Sequence, residues 1–344
     1  MNIILNLFDE KYVIGLFTKE ILPKYPEFKK IESVKIKGHK EMIWEKTYHV
    51  VVEFRTVFLA HDGKKKTLPI FCSAHSEEPR ENVYVALDFL WKRGFGRGCL
   101  TIPHPLFYSK YFRAVFYRGA PGNDLYHYIG KSDFENIEAV IVKAALWFSK
   151  LHSINTVGAE NFNKENSRIR TVFPGVEHIF FRIKEDFPEY FDIYEKFYKL
   201  AIEKEEKFLN SAPKHWLIHG DAHPENIIRM DKKKIAVIDF TDICLADFAR
   251  DLGSFCQQVE YMCDRKIADK SYAQKAKNIF LENYLKDRKI EMDDSLQKRM
   301  DIYYYWTAMR TSTFFLIKSG NEPERARNLI RKVKEAISDG LFDF

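Results

Sequence analysis

Trp216-Leu217-Ile218-His219-Gly220-Asp221-Ala222-His223-Pro224-Glu225-Asn226-Ile227-Ile228, followed by Ile235-Ala236-Val237-Ile238-Asp239-Phe240, is the stretch on which the reading of this chain turns. Apolar runs on either side read as short strands that hold a polar loop between them. Three polar residues stand out: Asp221, Asn226 five positions later, and Asp239 thirteen positions after that. Asp231-Lys232-Lys233-Lys234 between the last two reads as a hairpin tip. Turn and cap formation is the plainer account of such residues, but it does not explain three spacings and two flanking strands together.

Working outward, residues 31–75 read as strands, with Val50-Val51-Val52-Glu53-Phe54 and Val57-Phe58-Leu59 breaking at Asp62-Gly63. Lys64-Lys65-Lys66 then reads as a solvated loop tip, and Leu68-Pro69-Ile70-Phe71-Cys72 as the next strand. Val83, Leu87, Leu90 and Trp91 give residues 81–92 one apolar helical face. Arg93-Gly94-Phe95-Gly96-Arg97-Gly98 follows a helix and precedes Pro103, so its glycines read as a turn rather than a phosphate loop. Tyr111 to Tyr117 is expected to be a strand that runs into the turn formers Arg118 to Asp124. Beyond it the chain reads as helix. Ile137, Val140, Ile141, Ala144, Ala145, Phe148 and Leu151 form a 3.6-residue stripe, and helices are expected over 176–211, 253–285, 291–318 and 322–338.

Phosphoryl transfer needs a carboxylate that orients the acceptor hydroxyl, and oxygen ligands for a Mg²⁺ ion on the nucleotide phosphates. A protein-kinase catalytic loop supplies an Asp, an Asn five residues on, and the Asp of a D-F-G at the next strand end. His219-Gly220-Asp221, Asn226, Ile238-Asp239-Phe240 and Ala246-Asp247-Phe248-Ala249-Arg250-Asp251-Leu252 together resemble the aminoglycoside phosphotransferase/choline kinase family. Lys150-Leu151-His152 and the stretch from Phe116 to Leu125 extend the likeness, which spans about residues 31–256.

The resemblance implies an α+β, bilobal protein-kinase-like fold. Residues 1–117 would be a nucleotide-covering β-sheet lobe with one helix, and 118–344 a helical lobe with the catalytic loop and the acceptor site. It implies Asp221 as catalytic base, Asn226 and Asp239 as Mg²⁺ ligands, and His219 and Asp251 as supports of the catalytic loop. ATP or GTP would lie against a hinge at Phe116, Tyr117, Arg118 and Gly119. The implied reaction is phosphorylation of a hydroxyl on a small molecule, such as an aminoglycoside, choline or a sugar.

Two departures from the family pattern stand beside this. The third strand, Ile70-Phe71-Cys72-Ser73-Ala74-His75, lacks the lysine that pairs the phosphates. Glu78 or Glu81 would be the helical partner of that missing cation, and Lys35, Lys37, Lys40, Lys46 or His75 are the substitutes at hand. Lys37-Gly38-His39-Lys40 carries a single glycine where the family has a glycine-rich loop. A chain that binds a nucleotide or metabolite without turnover is therefore an alternative. A hydrolase with zinc on His219, Asp221 and His223 is another, although it leaves Asn226 and Asp239 unexplained.

Near the C-terminus, Tyr303-Tyr304-Tyr305-Trp306 with Phe314 and Phe315 reads either as helix core or as an aromatic cage for a quaternary ammonium group. Glu260, Asp264 and Asp301 read either as a solvated face or as a site for ammonium groups. Arg310, Lys318, Arg325, Arg327, Arg331 and Lys332 make this end basic, which suits a solvated surface or an anionic acceptor.

Composition sets the outer limits. The 344 residues suggest about two domains. A net charge of +6, with basic and acidic residues interspersed, gives no reason to expect nucleic acid. Five cysteines without a C-x-x-C pair argue against a disulfide or metal framework. With no signal-like start and no bilayer-length apolar run, a cytoplasmic chain without membrane partners is expected. Nothing in the pattern speaks to oligomeric state.

Overall fold

The computed structural model describes residues 2–78, 80–318 and 322–342. Its backbone contacts divide the chain into two compact units, 1–122 with 228–241 and 123–227 with 242–344. The segment 228–241 thus packs with the first unit, although it lies well beyond the 117/118 boundary expected from sequence.

The first unit opens with helix α1 (Glu10–Glu20), capped by Asp9, whose side chain accepts the Tyr12 N–H at 2.8 Å. Strands β1 (Phe28–Ile43), β2 (Tyr48–Ala60) and β3 (Lys65–His75) follow as an antiparallel meander. Next come helix α2 (Glu81–Leu90) and strands β4 (Leu100–Thr101), β5 (His104–Ser109) and β6 (Ala114–Arg118). The main sheet has the order β1-β2-β3-β6-β5. Among the described residues the unit therefore holds two α-helices where one was expected from sequence. The N-terminal one is 11 residues long, and only Val13 and Phe17 are buried along it, too few to make a periodic signal.

Strand periodicity sets the two faces of this sheet. Val50, Val52, Phe54 and Phe58 of β2 and Ile70, Cys72 and Ala74 of β3 are buried in one apolar core beneath α1. Phe17 meets the ring of Phe54 edge-on at 5.1 Å. The other face carries the alternate residues. His49 pairs with His75, Val51 with Ser73, and Glu53 with Phe71.

The second unit begins with β7 (Asn123–Asp124), α3 (Leu125–Gly130) and α4 (Phe134–Ser153), and continues through α5 (Val176–Asp186) and α6 (Phe191–Ser211). Strand β8 (Trp216–Ile218) leads into the polar loop, and β9 (Ile227–Arg229) leaves it and carries the chain back into the first unit at residue 228. β10 (Ile235–Val237) lies in the first unit, where it runs parallel to β4 and beside β9. Thr101 Oγ1 donates to the Ile235 carbonyl at 2.8 Å, fixing that register.

Strand β11 (Cys244–Ala246) pairs antiparallel with β8. Helices α7 (Ala249–Lys266), α8 (Tyr272–Arg288), α9 (Asp294–Thr313) and α10 (Pro323–Ser338) complete the second unit. The helical stretch expected over 253–285 is divided between α7 and α8. Ile267 ends α7 in an extended conformation, and Asp269 accepts the Ser271 N–H at 2.9 Å just before α8. Among the described residues no helix is long and apolar enough to cross a membrane.

Helices α7 and α9 approach closely at Gly253. A Cβ there would sit 2.5 Å from the Met300 carbonyl oxygen and 2.8 Å from the Tyr304 nitrogen, both of them backbone atoms. Gly253→Ala is expected to destabilise the chain by about 1–3 kcal/mol, since backbone cannot move aside as a side chain can. Chemical denaturation of the two proteins under one buffer measures it, and an unchanged midpoint would contradict this packing.

Candidate active site

The loop after β8 is held by buried groups of the second unit. Asp251, in the first turn of α7, is fully buried. Its Oδ2 accepts the His219 N–H at 2.7 Å and its Oδ1 the Gly220 N–H at 2.9 Å. His152 Nε2 lies 3.1 Å from Asp251 Oδ2, and its Nδ1 lies 2.9 Å from Tyr284 Oη. A carboxylate can only accept here, so Nε2 carries the proton and Nδ1 accepts from the tyrosine. Burial would raise the Asp251 pKa, but the bonds from His152 and from the loop outweigh it and hold it below the usual carboxylate range.

Arg250 grips the same loop from its carbonyl side. It is fully buried, and it donates to the Gly220 carbonyl at 3.1 Å and to the Asn166 carbonyl at 2.6 Å. Its guanidinium also lies over the Trp306 ring at 4.7 Å. The Gly220 residue is therefore fixed at both its N–H and its C=O. Its φ is +83°, and a Cβ would meet the Asp242 carbonyl oxygen at 2.3 Å, so glycine is required at this position. The sequence assigns no role to Arg250, although it lies inside a motif quoted for the resemblance.

Asp221 follows, with its side chain about one-third exposed. His223 Nε2 lies 3.3 Å from its Oδ2. Burial acts to raise the Asp221 pKa, while His223, Arg310 and His219 act to lower it and prevail. The carboxylate is thus ionised at neutral pH. Asn226 Nδ2 donates to the Asp221 carbonyl at 3.0 Å, which ties the two ends of the loop together. Among the described residues no donor reaches Asn226 Oδ1, so an oxygen ligand remains there.

His219 is buried between Trp147 and Phe148, with ring centroids at 6.1 and 6.3 Å. Its Nδ1 accepts the Asp221 N–H at 3.3 Å. That nitrogen is engaged by backbone, and among the described residues no group of three His, Cys, Asp or Glu side chains is placed to hold a metal. The zinc alternative on His219, Asp221 and His223 therefore lacks its ligand geometry.

Asp239 and the four residues expected to form a hinge belong to the first unit. Asp239 is exposed, two residues past β10, with φ at +62°. Its Oδ1 accepts from Thr241 Oγ1 at 2.8 Å. Its charge acts on His49 and on Tyr117. His49 has its pKa lowered to about 4, first by burial and then by Lys40, Arg80 and His75, with Asp239 opposing. The His75 ring meets that of His49 at 4.6 Å, and the charges of Lys40, Arg80 and Asp239 all act on this neutral imidazole.

Arg80 is a residue that the sequence reading passed over. It is buried just ahead of α2, and its Nη1 lies 3.5 Å from Glu78 Oε2. The signal was a cation at the start of a helix whose partner strand lacks one. On β3 the face shared with His49 carries Phe71, Ser73 and His75. Phe116, the first hinge candidate, points the other way and stacks on Phe107 at 4.3 Å within the core. Tyr117 stacks on Phe71 at 5.9 Å. Arg118 is part-exposed at the end of β6. Gly119 donates its N–H to the Pro69 carbonyl at 2.9 Å, and a Cβ on it would strike the Phe71 ring at 2.4 Å.

The aromatic run on α9 divides. Tyr303 and Trp306 are buried, and Tyr303 Oη donates to Glu205 Oε1 at 3.0 Å, so these two are core. Glu260 is paired with Lys277 and Lys332. The Lys318 side chain lies outside those described.

A sequence model of the family described as "Phosphotransferase enzyme family" matches residues 48–281, about two-thirds of the chain. No curated protein sequence matches this one. Similar solved structures include a spectinomycin phosphotransferase, APH(9)-Ia, in complex with ADP and spectinomycin (13% identity, TM-score 0.55, 95% of this chain and 94% of that one). An ethanolamine kinase from Plasmodium vivax has 15% identity and a TM-score of 0.56, covering 96% and 89%. The amicoumacin kinase hAmiN, in complex with AMP-PNP, Ca²⁺ and Ami, has 14% identity and a TM-score of 0.54, covering 97% and 96%. At these identities the likeness speaks for the fold.

Asp251→Asn is expected to cost about 3 kcal/mol, because the amide turns a donor toward one of two backbone N–H groups. Denaturant titration reads it, and a loss below about 1 kcal/mol would mean that the loop does not depend on this carboxylate.

Proposed function

From the chain's membership, since it belongs to the phosphotransferase enzyme family and has its α+β protein-kinase-like fold, we propose that it is an ATP-dependent kinase of a small-molecule hydroxyl. The observation that carries this is Asp221, a carboxylate kept ionised on a loop fixed through Gly220 by Asp251 and Arg250. In the reaction a bond forms from the acceptor oxygen to the γ-phosphorus. The bond from that phosphorus to the β,γ-bridging oxygen breaks, ADP leaves, and the hydroxyl proton passes to Asp221. A carboxylate this acidic is a weak base, so its first task is to accept the hydroxyl hydrogen bond and aim the oxygen. The proton moves late, which suits a loose transition state.

Asn226 Oδ1 and the Asp239 carboxylate are hard oxygen donors and suit Mg²⁺. When bound, the ion neutralises charge on the nucleotide phosphates. Lys40 and Arg80, whose charges both act on His49 together with that of Asp239, are the cations that would take the place of the absent third-strand lysine. GTP is the other nucleotide that this arrangement admits. A chain that binds nucleotide without turnover is the second reading, favoured by Phe71, Ser73 and His75 standing where the strand would offer a lysine.

Three outcomes follow. Asp221→Ala is expected to lower kcat by about 10²–10⁴ with the fold intact, and retention of most of the rate would remove the assignment. ATP with Mg²⁺ is expected to raise the thermal midpoint of the protein but not of Asp239→Ala. Binding of ATP with no ADP release across a broad acceptor panel would select the second reading. Finally, His223→Gln removes the imidazole that acts to lower the Asp221 pKa, so that pKa rises and the acid limb of the pH–rate profile moves to higher pH. An unmoved limb would show that His223 does not act on the carboxylate.

A further inference from the structure

A cavity of about 480 Å³ in the second unit reaches the Asp221 carboxylate, with walls from the polar loop, α7, α9 and the start of α10. Its charges are unequally satisfied. Asp221 and Glu225 flank His223, at 3.3 and 3.7 Å. Glu322 is ion-paired with Arg325. Arg325 in turn donates from Nε to Tyr261 Oη at 2.6 Å and lies 3.8 Å over the Phe315 ring. All three carboxylates on the wall therefore have a basic neighbour.

Two of the three arginines make no ion pair among the described residues, although Arg265 acts electrostatically on Glu322 and Arg310 on Asp221. Among the described residues no carboxylate lies within ion-pairing distance of Arg265 or Arg310. Arg265 faces the Tyr261 ring at 5.4 Å, and Arg310 the Trp306 ring at 4.9 Å. Arg310 is also near enough to Asp221 to help keep it ionised. Glu260, Asp264 and Asp301, the acidic residues that would suit a polyamine, are not on this wall.

An ammonium group entering here would meet carboxylates that each already have a basic partner, and two guanidinium groups that make no ion pair. An oxyanion would complete those guanidiniums through charge-assisted, bidentate hydrogen bonds. Tyr126, Tyr261, Phe314 and Phe315 add apolar wall for a carbon frame. We propose that the acceptor of this cavity is an anion, a hydroxyl compound with a carboxylate or phosphate group that Arg310 and Arg265 hold while its hydroxyl faces Asp221. The proposal rests on the kinase reading above for the hydroxyl, and on the cavity alone for the charge.

The test uses three compounds of one size on the full-length protein without nucleotide: 4-(hydroxymethyl)benzoate, 1,4-benzenedimethanol and 4-(hydroxymethyl)benzylamine. Calorimetric titration is expected to show the benzoate binding at least about tenfold tighter than the other two. Arg310→Gln, and separately the more exposed Arg265→Gln, are expected to remove about tenfold of that affinity while leaving the neutral diol within about threefold. Equal or tighter binding of the amine or the diol overturns the proposal. So does a benzoate preference that survives both substitutions, or no benzoate binding at about 20 mM. ADP release is followed separately with ATP and Mg²⁺. Anion binding without ADP release counts against the kinase reading and for the anion site. ADP release with the amine alone does the reverse.

Discussion

The Asp251 carboxylate, buried at the first turn of α7, accepts two successive backbone N–H groups and one imidazole N–H. A buried carboxylate is costly unless its lone pairs are filled, and here three donors fill them. The cost and its compensation make the arrangement selective. Any shift of His219 or Gly220 leaves an anion in an apolar surround. Arg250 closes the device by taking the Gly220 carbonyl, so one peptide residue is held from both sides. Asp221 inherits its position from that residue, and Asn226 inherits its own from the Asp221 carbonyl.

The same constraint explains the glycine and the histidines. Gly220 needs a positive φ and stands against the Asp242 backbone, so a side chain there would push the loop off its anchors. His152 accepts from Tyr284 on one nitrogen and donates its N–H to Asp251 with the other. His219 spends its Nδ1 on the Asp221 N–H. These rings are structural members of the loop. Around Asp221 itself, His223 and Arg310 act to keep the carboxylate ionised.

In the first unit the sheet's period of two does comparable sorting. Core side chains and site-facing side chains alternate along β2 and β3, so Cys72 and Ala74 are fully buried while Ser73 and His75 face the other way. A lysine would have to occupy one of the latter positions, and none does. Lys40 and Arg80 come from different parts of the chain, and only their shared effect on His49 brings them to notice.

Much of this was legible in the chain itself. The spacing of Asp221, Asn226 and Asp239, with strands on both sides, identified the polar loop, because short-range geometry is written in consecutive residues. The β-branched and aromatic runs of 50–54 and 57–59 marked strand, and the stripe from Ile137 to Leu151 marked a helix. The break between α7 and α8 was harder, since both sides of it are helix-forming and the signal is one aspartate. What only tertiary structure decided was partnership between distant residues. Arg250 meets Gly220 across 30 positions, His152 meets Asp251 across 99, and Arg325 meets Tyr261 across 64. Whether an arginine on α7 or α9 is neutralised, or left facing a cavity beside Asp221, depends on which carboxylates packing places near it. No local pattern encodes that, because the charge balance of a pocket is summed over elements that meet only when the chain has folded.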